Sequence, residues 1–379
     1  MNRTRVAVVG VGHLGRHHAR ILAGMPEVEL VGVVDARLEQ ALSVAESCRT
    51  RAFTDYRELL GQVDAVSIAV PTKFHREVAG TFLHRGIPCM VEKPLATTLS
   101  EAEQLVELAD ARQSLLQVGH VERFNPALSA LEGMALRPKY IAADRLGTYT
   151  FRSTDIGVVL DLMIHDLDLI LSLTNAAVTS VSAVGVAIFG GHEDVANARV
   201  EFADGCVANI TASRASFQAV RKMRIWGPEG YAALDFAAKQ GTLIRPSERL
   251  RRGELELEGV DLGRVDDVRE RIFGKILRVD QVKAEERDAL TAELEDFVTA
   301  VRTGSAPKVT GIEALRAMRL ADQILRSLNT HHWEGLEEGP TGPRDLPEPI
   351  IEPIIGLQGP KTWKYHGVRG ESLRKLENS

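Results

Sequence analysis

The sequence predicts an α/β domain with a doubly wound parallel sheet, followed by an α+β domain on a mostly antiparallel, open sheet. Two patterns carry that reading. In the N-terminal third, short Val- and Ile-rich runs alternate with stretches of helical periodicity, as in a parallel sheet covered on both faces. Beyond it, alternating segments follow one another with turn signals and no helices between them, as in an antiparallel sheet. The boundaries fall at residues 1–121, 122–334 and a Pro/Gly-rich tail over 335–379.

Taken in order, the first strands are Val6–Val9, Leu30–Val34, Ala65–Val70, Cys89–Val91 and Leu115–Val118. Helical periodicity covers His17–Ala23, Leu38–Ser47, Glu77–His84 and Ser100–Ala111. Ser100 is the expected N-cap of the last of these, with Glu103 at the capping-box position. The second set of strands is Val178–Ile188, Asn197–Phe202, Cys206–Ser213, Lys222–Trp226 and Tyr231–Phe236. Asp204-Gly205 between alternating runs is a hairpin signal. About half of the residues from Arg245 to Asp288 are charged, which reads as a solvated insertion, with Glu254–Glu258 as an edge strand. Thr291–Arg302 and Ile312–Leu328 return to helical periodicity. The tail holds six prolines and seven glycines and reads as an extended arm or a loose tail rather than a third core.

Composition narrows the function. Among 379 residues, 46 Lys and Arg stand against 52 Asp and Glu, a net charge of −6. That balance disfavours a nucleic-acid partner. No apolar run approaches the ~20 residues of a membrane span. No signal peptide is expected ahead of Val6, and Cys48, Cys89 and Cys206 suggest neither a disulfide framework nor a metal site. The expected setting is a reducing, cytoplasmic one.

Five signals fall at the carboxyl ends of the first strands, the edge where ligands bind in open α/β sheets. Gly10-Val11-Gly12-His13-Leu14-Gly15 follows a strand and opens a helix, the arrangement that cradles a pyrophosphate. Asp35, 20 residues after Gly15, stands where an acid takes the adenosine ribose hydroxyls. Its charge favours NAD over NADP, although Arg37 offers a counter-charge to a 2′-phosphate. Pro71-Thr72 with His75, then Glu92-Lys93-Pro94, then Gly119-His120 complete the set. Lys93, beside the expected nicotinamide end, is suited to stabilising developing alkoxide charge; a lysine after a strand is otherwise a solvated surface charge. In the second domain, Asp161 and His165 are four apart, so on a helix they share a face. Spacing alone reads equally as a general base with its orienting carboxylate or as a partly buried histidine held by a surface pair. His13 and His17 are also four apart but lack the H-E-x-x-H pattern, and no metal site is expected.

Together Gly10–Gly15, Asp35, Pro71-Thr72 with His75, Glu92-Lys93-Pro94 and Asp161-x-x-x-His165 resemble the glucose–fructose oxidoreductase / inositol dehydrogenase (Gfo/Idh/MocA) family, from about Arg5 to Leu328. The resemblance implies a Rossmann domain, a sheet domain that builds homodimers or homotetramers, and NAD(P)-dependent oxidation or reduction of sugars and cyclitols. By motif it makes His13, Leu14, Pro71, Thr72, His75, Glu92 and Lys93 cofactor-binding. It places Lys93 on the reacting hydroxyl, with His165 as base and Asp161 as its partner. The family's usual glycine two residues after the aspartate is Met163 here, which adds bulk near the substrate.

A narrower resemblance lies in Gly119–Pro126, Thr211–Arg214 and Arg221–Trp226, which look like members that oxidise nucleotide sugars, UDP-N-acetylglucosamine 3-dehydrogenases feeding lipid A synthesis. It implies substrate contacts from Arg123, Asn125 and Arg214, the arginines suiting a diphosphate; arginines at a domain junction equally make ion pairs within the fold. A free-sugar or cyclitol dehydrogenase and a non-catalytic NAD(P)-binding regulator are the competing readings.

Overall fold

The computed structural model describes residues 3–131, 136–150, 156–189, 191–254, 265–283, 288–333 and 335–343. The first domain runs β1 (Thr4–Val9), α1 (Gly15–Gly24), β2 (Val28–Val34), α2 (Leu38–Cys48), β3 (Arg51–Phe53), β4 (Ala65–Ile68), α3 (His75–His84), β5 (Cys89–Glu92), α4 (Leu99–Ala111) and β6 (Leu116–Gly119). Its six strands are all parallel, in the order β3-β2-β1-β4-β5-β6. The order reverses between β1 and β4, the switch point at which such sheets bind ligands. The near-continuous apolar strands follow from burial on both faces: Val6, Ala7, Val8, Val66 and Ile68 are fully buried. β3, three residues long, carries too little pattern to be read from sequence.

The cap of α4 differs from expectation. Thr98 accepts the backbone N–H of Glu101 at 3.3 Å, so the helix starts ahead of Ser100. Thr98…Glu101 and Ser100…Glu103 are overlapping frames of one signal, and the upstream hydroxyl takes it.

The second domain adds β7 (Tyr140–Leu146), α5 (Ile164–Thr174), β8 (Val178–Val186), β9 (Val195–Phe202), β10 (Val207–Ser213), β11 (Val220–Gly227), β12 (Gly230–Asp235), β13 (Gln240–Pro246), α6 (Glu248–Arg251), α7 (Val265–Arg271), β14 (Leu277–Lys283), α8 (Ala289–Thr303) and α9 (Gly311–Asn329). Eight strands form one sheet in the order β14-β13-β12-β11-β7-β10-β9-β8, antiparallel except for β7 beside β10. The Asp204-Gly205 hairpin is present, with Gly205 at φ +80° and Asp204 Oδ1 accepting Cys206 N–H at 3.0 Å.

Three strands of this sheet, β7, β13 and β14, depart from the sequence reading. β7, near its centre, was not anticipated, because Asp144-Arg145 interrupts its apolar alternation. The charged stretch 245–288 is not only a solvated insertion: β14 within it pairs with β13 from Lys283 opposite Gln240 to Leu277 opposite Pro246. The expected edge strand Glu254–Glu258 lies, from residue 255 on, outside the described residues. The near end of the tail is also tied, as Trp333 Nε1 donates to Gly342 O at 2.6 Å and Ala187 N to Pro343 O at 2.8 Å.

α5 and α9 cover one face of the large sheet. α8, although within 122–334, packs Leu294, Phe297 and Val298 into the first domain's core with Val6, Val8, Leu22 and Met90. On the other face Tyr140, Trp226 and Tyr231 meet in cross-strand register, with ring centroids 5.0 and 5.1 Å apart.

The glycine turn after β1 is closely packed. Gly10 has φ +85°, and a Cβ on Gly15 would run into the Gly10 carbonyl oxygen. Gly15→Ala is therefore expected to cost at least about 1–3 kcal/mol and to weaken NAD binding, read by urea denaturation and calorimetry. An unchanged midpoint would contradict the packing described.

Candidate active site

At the switch point the glycine turn leaves room on one side only. Gly10 and Gly15 are crowded, whereas the Cα of Gly12 faces open space, where a phosphate can approach the backbone. His13 and Leu14 are exposed at the start of α1. Asp35, at the end of β2, accepts Val11 N–H at 3.2 Å and Arg37 N–H at 3.0 Å, while the Arg37 side chain stays largely in solvent. These features fit a dinucleotide: a backbone cradle for the pyrophosphate and a carboxylate for the ribose. Pro71 and Thr72 lie at the surface of the β4 loop.

His75 has a different place from the one its motif implies. It is 1% exposed, and its ring nitrogens face the carbonyls of Pro94 (3.0 Å) and Val70 (2.9 Å). Burial pushes its pKa below the ordinary histidine value against the pull of those carbonyls. It ties the β4 loop to the β5 loop and so acts on Lys93 and its neighbours through the backbone.

Glu92, at the end of β5, is likewise buried. His18 Nε2 lies 3.0 Å from Glu92 Oε1, an ion-pair contact short of hydrogen-bond geometry, and His18 Nδ1 lies 2.8 Å from Ser67 Oγ. Burial raises the Glu92 carboxyl, but His18, then Lys93 and His75, outweigh it and hold it below the usual range.

Lys93 directly follows β5 and is joined to Pro94 by a cis peptide bond. Its Nζ donates to the Asp161 carbonyl at 2.6 Å and to Asp161 Oδ1 at 3.2 Å. Asp161 sits in a π-helical turn, Val159–Met163, that leads into α5. Because that turn is wider than an α-turn, a separation of four residues does not stack side chains as it does in an α-helix. The expected Asp161–His165 hydrogen bond is accordingly not made, and Asp161 pairs with Lys93 instead.

His165 is buried on the first turn of α5, with Nδ1 unpartnered. Burial first, then the positive charges of Lys93 and Arg145, drives its pKa well below the ordinary value. The ring is thus neutral at neutral pH. His120, from the end of β6, packs edge-on against it with centroids 6.3 Å apart. Lys93, Asp161, His165 and His120 therefore meet between the domains.

Other expected contacts are spent within the fold. Arg214 donates to Asp194 Oδ1 at 2.7 Å and to Ile156 O at 2.9 Å. Arg123 reaches Asp168 Oδ1 at 3.4 Å and Glu313 Oε1 at 3.1 Å. Asn125 donates to Glu122 Oε2 and Phe236 O and accepts from Ala127 N–H. In this structure all three side chains hydrogen-bond within the fold. Met163 is fully buried in the apolar core. Among the described residues no group of three or more His, Cys, Asp or Glu side chains is placed to hold a metal ion.

Sequence reasoning missed the charges beneath α5. Arg145 on β7 donates to both oxygens of Asp166 at 2.8 and 3.0 Å and to Glu122 Oε1 at 2.8 Å, all three residues being buried. The available signal was a run of acids, Asp166 and Asp168, in an otherwise apolar helix, which requires buried partners.

Residues 4–120 match the description "Oxidoreductase family, NAD-binding Rossmann fold" and residues 135–233 match "GFO/IDH/MocA C-terminal domain". The chain is 38% identical over 325 residues to a UDP-N-acetylglucosamine 3-dehydrogenase of Acidithiobacillus ferrooxidans, covering 86% of this chain and 97% of that one. A solved structure of that enzyme superposes with a TM-score of 0.76 at 36% identity, over 86% of this chain and 98% of the other. A scyllo-inositol 2-dehydrogenase (NAD(+)) of Bacillus subtilis is 27% identical over 333 residues, 83% of this chain and 90% of that one.

Removing the guanidinium strands two buried carboxylates, so Arg145→Leu is expected to cost about 3–5 kcal/mol. Chemical denaturation measures this, and a change under about 1 kcal/mol would show that the cluster is not a paired charge network.

Proposed function

This chain belongs to the Gfo/Idh/MocA oxidoreductase family, and from that premise we propose that it oxidises a secondary hydroxyl of a sugar, C3 of a UDP-N-acetylhexosamine, beside Lys93 and His165. The observation that carries the reading is the convergence of a lysine from the first domain and a neutral, buried imidazole from the second. NAD, held by the glycine turn and Asp35, supplies the acceptor for the carbinol hydride.

The side chains divide the remaining work. Lys93 donates to the reacting oxygen and stabilises the negative charge that grows there. His165, kept neutral by burial and by the cations around it, accepts the hydroxyl proton. Asp161 fixes the ammonium of Lys93, a role that replaces the expected support of the imidazolium. Glu92 and His75 hold the loop from which Lys93 projects.

The nucleotide-sugar substrate is favoured by the 38%-identical relative over most of both chains; a free-sugar or cyclitol substrate is the second reading, supported by the more distant inositol dehydrogenase. A non-catalytic regulator has no use for the Lys93–His165 arrangement. The Tyr140, Trp226 and Tyr231 face suits a second copy of the chain, giving a cytoplasmic homodimer or homotetramer.

UDP-N-acetylglucosamine, UDP-N-acetylgalactosamine, glucose and myo-inositol, each with NAD and with NADP, are to be followed by the absorbance of reduced cofactor. Turnover is expected with a UDP-N-acetylhexosamine and NAD; turnover with myo-inositol or glucose alone would replace the substrate proposed. Lys93→Ala and His165→Asn should each lower kcat by about 10²-fold or more, and full activity in both would refute the site. With His165 depressed, the base stays deprotonated as pH falls through the ordinary histidine value. The acid limb of kcat/KM should accordingly lie below pH ~6.5, the ordinary histidine value; a limb above it would mean that the imidazole is not desolvated.

A further inference from the structure

Three polar atoms at the base of the site make no hydrogen bond although they are buried: His165 Nδ1, His120 Nδ1 and Asp168 Oδ2. His165 and Asp168 are three apart on α5 and share a face. The His120 ring stands edge-on to that of His165, and the charge acting most strongly on His120 is Asp168. Orphaned groups of this kind cost about 1–3 kcal/mol each, so each calls for a reason, such as a catalytic role or a bound water. The other oxygen of Asp168 is engaged by Arg123, whose guanidinium also meets Glu313, a side chain 32% exposed. The three atoms thus begin at the imidazole of the site and end one arginine from the surface.

We propose that His120 and Asp168 form a proton exit behind His165, joined to its Nδ1 through one bridging water. The inference rests on the reading of His165 as base. In each oxidation the C–H electron pair leaves as hydride to NAD, the carbinol oxygen becomes the ketone oxygen, and the hydroxyl proton goes to Nε2 of His165. A second proton then leaves Nδ1 for the water and the Asp168 carboxylate, which releases it to solvent near the part-exposed Glu313. After the ketone departs, exchange with water in the vacated site returns the ring proton from Nε2 to Nδ1. One water commonly makes about three hydrogen bonds to buried polar groups, the number of orphaned atoms present.

The electrostatics supply the need for such an exit. His165 faces Lys93, Arg145, His120 and Arg221, so an imidazolium there is disfavoured and must discharge. His120, lowered by burial, faces Asp168, Lys93, Arg123 and Glu92. Asp168, raised by burial against the pull of His120 and Arg123, also faces Glu313 and is able to take a proton transiently. His120 and Asp168 act through His165 and are positioning residues.

The test compares Asp168→Asn and His120→Gln with wild type in the sugar-oxidising direction. Each variant is expected to lower kcat at least about tenfold with KM little changed, to enlarge the solvent deuterium isotope effect on kcat, and to be partly rescued by high concentrations of a small imidazole buffer. In protein without cofactor, the ring NMR titration of His165 should shift in both variants. Unchanged kcat and isotope effect in either folded variant, alongside an inactive His165→Asn, would overturn the exit and leave the base in place; an active His165→Asn would overturn the base itself. Should neither variant fold, a proton inventory on the wild-type enzyme decides: curvature from more than one proton in flight supports the relay, and a linear plot overturns it.

Discussion

The Lys93 ammonium crosses from the end of β5 to the π-turn ahead of α5, where Asp161 takes it through its carbonyl at 2.6 Å and its carboxylate at 3.2 Å. Every other feature of the site depends on that crossing. The parallel sheet brings the cofactor edge and Lys93 to one side, and α5 brings His165 to the other. The two halves are also joined away from the site, where α8 packs into the first domain's core. His75 contributes at a distance by bonding the loop after β4 to Pro94, which fixes where Lys93 begins.

Buried charge sets the chemistry around this contact. Arg145 joins Asp166 to Glu122, so the floor beneath α5 is an ion network that also repels a proton from His165. On the first-domain side, Glu293 of α8 is fully buried with both carboxyl oxygens unpartnered. Burial first, then the charge of Glu92, pushes its pKa well above the ordinary value beneath the motif that carries Lys93. One interior thus shifts one carboxyl down, another up and an imidazole down, each by its surroundings.

Much of this was legible in the sequence where the physics is local. The glycine turn, Asp35 and the helix–strand alternation depend on backbone conformation and burial patterns that each segment carries by itself. The cap of α4 was legible as a signal but not in its frame, because Thr98 and Ser100 compete for it. The β7 strand and the partners of Arg145 were not legible, since a buried charge on a strand makes sense only with Asp166 and Glu122 in place. Arg123, Asn125 and Arg214 show the converse: their residue types suit a diphosphate, but which anion they meet is decided by tertiary structure. The pairing of Asp161 also escaped the sequence, because a π-turn cannot be read from a spacing of four.

The central claim is that one sugar hydroxyl is shared between Lys93 and His165. A crystal structure of the enzyme with NAD and a UDP-N-acetylhexosamine tests it most directly. The account predicts Lys93 Nζ and His165 Nε2 both about 2.6–3.2 Å from the same hydroxyl oxygen. A bound sugar whose hydroxyls reach only one of them, or neither, would contradict it.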